Sequence, residues 1–133
     1  MANRLEQVNE IPPWLLQLST EIDSLEFKVA WDRFTAESIL QFGAETYIGA
    51  PAMKDFFVKL DSPVNIKHEI LDVWIGDGVH FIRGQAATSK KSDVEQKEFV
   101  VPFMWFFHGD IEGPGKIDKW SVTAGPLQTD SFW

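Results

Sequence analysis

Hydrophobic positions along the chain change period once. Trp14, Leu15, Leu18, Ile22 and Leu25 recur at helical spacing behind Pro12-Pro13, and proline suits the first turn of a helix, so a first helix is predicted there. Phe27, Ala30, Trp31 and Phe34 repeat the spacing one short connection later and predict a second helix facing the same core. Residues 38–42 read as a brief strand and 43–49 as a loop or short hairpin. Pro51 then opens a third helix, with Met53, Phe56, Phe57 and Leu60 at i, i+3, i+4 and i+7, closed by Asp61-Ser62-Pro63. From Asn65 onward the period is two, and strands are predicted over residues 65–75, 78–89, 98–108 and 116–125. The run from Phe99 to His108 is too apolar for either face to meet water, so both faces need cover. Helices first and an antiparallel meander afterwards give an α+β class: three N-terminal helices packed on one face of a curved antiparallel sheet whose closed end forms a cavity.

Composition narrows this picture. A chain of 133 residues is one domain, here residues 12–127, preceded by a flexible polar segment (1–11) and followed by a polar tail (128–133) ending in Phe132 and Trp133. Cysteine is absent, which excludes disulfides and thiolate chemistry. A net charge of −8, with Lys90-Lys91 as the sole basic cluster and Asp93 and Glu95 beside it, argues against nucleic acid as a partner. No run of about twenty apolar residues exists, so no membrane association is expected and the reading is a cytoplasmic protein. Aromatic residues make up 14% of the chain, six of them tryptophan, more than a small core needs; a large apolar cavity or an aromatic subunit interface accounts for the excess.

The order of elements and several local phrases resemble the SnoaL-like polyketide cyclase branch of the nuclear transport factor 2-like superfamily. The phrases are Trp31 and Phe34 before Glu37, Gly49-Ala50-Pro51-Ala52-Met53, Ile66-Lys67-His68-Glu69-Ile70 with Trp74, Gly76-Asp77-Gly78, Val101-Pro102-Phe103, Gly115-Lys116-Ile117 and Gly125-Pro126-Leu127. The resemblance covers about residues 14–127 and implies a cone-shaped, cystatin-like half-barrel with a deep apolar pocket, usually as a homodimer. Function does not follow from fold, because that superfamily holds isomerases, cyclases, dehydratases, epoxide hydrolases and non-catalytic binding modules. Its known catalytic sets do not transfer: the ketosteroid-isomerase-like acids fall near Phe42 and Trp105 and its tyrosine near Leu18, the epoxide-hydrolase-like Asp-Arg-Asp set near Gly84, Ala86 and Val122, and the cyclase aspartate among Trp120, Ser121, Val122 and Thr123.

His68 is the residue left with chemistry to do. Strand alternation puts Ile66, His68 and Ile70 on one face, with Lys67 and Glu69 on the other, so the imidazole points inward. Scytalone dehydratase, related by fold, is similar in carrying a pocket histidine in such a strand. An imidazole in an apolar cavity can move a proton near neutral pH; the structural alternative is a buried neutral histidine satisfied by backbone or water. Asp32 in Trp-Asp-Arg-Phe is a weaker catalytic candidate, more in keeping with a solvated helix face beside Arg33. Trp31, Phe42, Tyr47, His80, Trp105, Trp120 and Val122 are the expected ligand-contacting residues, although the tryptophans equally suit plain core and Tyr47 a loop. His80 belongs about 20 Å along the sheet from His68, so no histidine pair, no metal site and no cofactor are expected. Phe81, Met104 and Phe106 should lie opposite the pocket and form the homodimer surface. The expected function is acid-base isomerisation, cyclisation or dehydration of a hydrophobic polyketide- or terpenoid-like intermediate of secondary metabolism. The alternatives are a non-catalytic module holding a small apolar ligand, or a protein-interaction scaffold.

Overall fold

The computed structural model describes residues 5–111 and 115–125. Helix α1 (Pro13–Ser24) starts on its proline and buries Leu15, Leu18, Ser19, Glu21 and Ile22. It stops at Leu25, which turns left-handed (φ 57°) and donates its N–H to the Ile22 carbonyl, a helix-ending geometry that a non-glycine residue adopts only under tertiary constraint.

Glu21, one turn earlier, explains why the expected second helix is absent. The buried Glu21 carboxylate accepts the backbone N–H groups of Lys28 (2.7 Å), Ala30 (2.8 Å) and Trp31 (3.0 Å). Donors captured by a side chain from the preceding helix cannot serve a helix of their own, so residues 26–33 form a loop with a single 3-10 turn, Trp31–Arg33. The helical spacing of Phe27, Trp31 and Phe34 survives as a ring cluster, with centroids 4.6 Å and 4.9 Å apart.

Seven strands make one mixed sheet in the order β1-β4-β5-β6-β7-β2-β3. They are β1 (Glu6–Val8), β2 (Phe34–Phe42), β3 (Glu45–Ile48), β4 (Val64–Gly76), β5 (Val79–Lys90), β6 (Phe99–Asp110) and β7 (Lys116–Ala124), with helix α2 (Ala50–Asp61) between β3 and β4. The four C-terminal strands match the predicted meander. Three features do not. Among the described residues there are two α-helices rather than three, residues 6–8 pair as an edge strand with β4 rather than lying loose, and the sheet is not wholly antiparallel, because β2 runs parallel to β7. The strand at residues 38–42 is the end of a longer one that begins at Phe34. Its first part bulges away from β7 between Phe34 and Ile39, and the buried Ser38 hydroxyl closes the gap by donating to the Ile117 carbonyl (2.5 Å) and accepting the Thr35 N–H (2.8 Å).

Helix α1 packs on β4, and α2 on β2, β3 and β4. Between helices and sheet, Trp120 forms the centre of the core: fully buried, it stacks with Phe34, Phe57 and Phe107 at 5.2–5.6 Å. On the other sheet face Phe81 packs against both Trp74 and Phe106, and Val100 and Met104 stand about half exposed.

Candidate functional site

The long strands β4, β5 and β6 alternate side chains onto the face that α2 covers only in part, and the space left over is a cavity of about 420 Å³. Ile66, Ala86, Val101, Phe103 and Trp105 give it an apolar floor, and Phe42, Phe57 and Val122 an apolar side. Gly84 sets the depth at one point, since a Cβ there would stand 2.3 Å from the Phe103 ring and 2.5 Å from the Glu69 carbonyl.

His68 lines this cavity with its ring against Phe103 and Trp105, at centroid distances of 5.3 Å and 5.5 Å. Its Nδ1 lies 2.6 Å from Oδ1 of Asp23 near the end of α1, and the same carboxylate accepts the His68 backbone N–H. An Nδ1–H donated to Asp23 fixes the tautomer and leaves Nε2 as the basic nitrogen. The cavity also holds Asp61, the last residue of α2 and 5% exposed. Burial in apolar surroundings pushes its carboxyl up to about 6 from 3.8, with Asp23 adding to the rise and His68 opposing it. Two carboxyls and one imidazole thus interact electrostatically at a chamber whose wall is mostly apolar, His68 and Asp61 lining it together with Thr88 and Lys90. Among the described residues no group of His, Cys, Asp or Glu is arranged to hold a metal ion.

Sequence reasoning places His68, Phe42, Trp105 and Val122 at the cavity wall, and there they are. Trp31 and Trp120 are not: both are buried behind it, Trp31 donating its indole N–H to the Ala50 carbonyl and Trp120 supporting Trp105 from behind at 5.3 Å. Tyr47 stacks on Phe56 outside the cavity and gives its hydroxyl proton to Glu45. Asp32 is exposed, and it is its carbonyl, not its carboxylate, that is engaged, by Lys116. His80 is buried against Trp14 at the other end of β5, beside a second, polar cavity of about 210 Å³ at the Gly76-Asp77-Gly78 turn. Asp23 and Asp61 are the residues the sequence reading missed. Each continues an apolar helical stripe, Asp23 after Leu15, Ser19 and Ile22, and Asp61 after Met53 and Phe57. A carboxylate on a stripe that must be buried is a readable signal, which the helix-closing look of Asp61-Ser62-Pro63 hides.

No protein-family model matches the chain, and no curated protein does. Solved structures do. A protein of ketosteroid isomerase-like fold from Catenulispora acidiphila, solved with trimethylamine, superposes with a TM-score of 0.72 at 13% identity, covering 86% of each chain. A candidate SnoaL-like polyketide cyclase from Shewanella putrefaciens gives 0.71 at 12% identity, over 86% of this chain and 91% of that one. An epoxide hydrolase/cyclase-like enzyme with a role in pyran ring formation in the polyether salinomycin gives 0.68 at 16% identity, over 84% and 88%. The chain therefore has the fold shared by SnoaL-like and other nuclear transport factor 2-like proteins.

Proposed function

We propose that this chain, built on the SnoaL-like fold, is a small-molecule enzyme that moves protons on a hydrophobic polyketide- or terpenoid-like intermediate. The observation that carries the reading is that His68, held by Asp23, and the buried Asp61 line the same mostly apolar cavity. An isolated carboxyl buried there would cost stability with no structural return, whereas an acid poised near neutrality beside a basic imidazole is the pairing that proton transfer requires.

In the simplest cycle, neutral His68 removes a proton from the carbon next to a substrate carbonyl through Nε2. Asp61 in its protonated form gives a proton to the carbonyl oxygen, and the product is the enol. Returning a proton to a different carbon isomerises the substrate; attack of the enol carbon on a second carbonyl closes a ring; loss of a hydroxyl as water, protonated by the same groups, dehydrates it. Asp23 stabilises the imidazolium formed on the way, and the apolar wall excludes water from the reacting carbon.

Proton exchange tests the reading without knowledge of the natural substrate. In deuterium oxide, the protein should catalyse exchange at the acidic carbon of a fused-ring β-diketone, followed by NMR. His68→Ala and Asp61→Asn should each slow that exchange by about 10²- to 10⁴-fold, and Asp23→Asn by about tenfold or more, with probe affinity, read from tryptophan quenching, little changed. A probe that binds but is not exchanged by the wild-type protein makes this a binding module instead.

A further inference from the structure

The polar groups of the cavity stand at two levels. Strand register sets Ala86 opposite His68 and Lys90 opposite Val64. Lys90 is thus four residues further along β5, about 13 Å away at strand rise. Ala86, Thr88 and Lys90 alternate onto the same face and all line the cavity. The stretch between the two levels is apolar apart from Thr88, with Ile66, Phe99 and Val101 along it and the partly exposed Leu60 also lining the cavity.

Lys90 is the only lysine or arginine among the described lining residues, is exposed to solvent, and forms no ion pair among the described residues. The nearby Asp93 carboxylate is engaged by the backbone N–H groups of Glu95 and Lys97. An ammonium at the mouth of a mostly apolar chamber, with the Asp23-bonded His68 four residues further along the sheet, sorts ligands by orientation. A carboxylate entering first would leave water for the apolar wall around the Asp23-bonded His68, whereas one that trails stays in water beside Lys90.

We propose that the cavity takes an elongated amphipathic acid whose carboxylate pairs with Lys90 at the mouth, while its apolar body runs inward and presents the reacting carbon to His68. The spacing makes the reacting position about ten chain atoms from the carboxylate. This substrate class rests on the acid-base reading of the inner end, but it is tested separately.

Decanoate and 1-decanol, matched in length, serve as probes in titrations at pH 7.5, with the wild-type protein, Lys90→Met, Lys90→Arg and His68→Asn. Decanoate should bind about fivefold more tightly than decanol, the preference shrinking as salt is added. Lys90→Met should abolish the preference and leave decanol binding intact, Lys90→Arg should restore it, and His68→Asn should not alter it. Equal binding of the two probes to the wild type, or a preference that survives Lys90→Met, overturns the role of Lys90 and leaves the acid-base reading standing. Failure of both probes to bind overturns the ligand cavity, and the two readings together.

Discussion

Asp61 is a carboxyl whose protonated form the fold prefers. Its ordinary value is 3.8 and burial lifts it to about 6. The stability tied to it is complete below pH 4 and is lost as pH rises through 6, the reverse of a salt-bridged aspartate. Asp61→Asn should therefore match the wild type near pH 4 and exceed it by about 2–3 kcal/mol at pH 8; urea denaturation at the two pH values measures this, and equal differences at both would show that Asp61 does not titrate in the fold. Gly84 is a second residue whose role is single-valued, because the Phe103 ring and the Glu69 carbonyl occupy the place of a side chain. Gly84→Ala should cost about 1–3 kcal/mol, by displacing the cavity floor. A melting temperature equal to that of the wild type would mean the strands part freely there.

At the scale of elements, the loop from Glu26 to Arg33 is held by one side chain rather than by its own periodicity. Glu21 supplies acceptors for three backbone N–H groups. Glu21→Ala should leave those donors without their partner and lower stability by about 2–4 kcal/mol. Glu21→Gln, which keeps one carbonyl oxygen, should recover part of the loss; a neutral result for Glu21→Ala in thermal denaturation would mean that the aromatic cluster alone fixes the loop. Arg33 anchors the next connection in the same manner, donating to the carbonyls of Ile111 and Gly115 while lying 4.8 Å over the Trp14 ring. Side chain to backbone links thus tie α1 to the segment before β2, and that segment to the connection between β6 and β7.

For the molecule as a whole, the sheet separates two apolar surfaces, the cavity face and the outer face with Trp74, Phe81 and Phe106. The expected homodimer places the outer face against a second copy, so sedimentation should give a dimer mass that Met104→Glu, at a position 47% exposed, reduces to a monomer; a wild-type monomer removes that expectation. By itself the sequence determined what period and composition can encode: α1 and α2 from apolar stripes, the four long strands from alternation, and the inward aim of His68 from its neighbours Ile66 and Ile70. Those are local properties, fixed by the geometry of one element. Only the tertiary structure decided that Phe27 to Arg33 is a loop with one 3-10 turn, that β2 lies parallel to β7, and that Asp23 and Asp61 come to His68 from two different helices. Each of these depends on contacts between segments far apart in the chain, where a captured backbone donor or the loss of water around a carboxyl outweighs the local pattern.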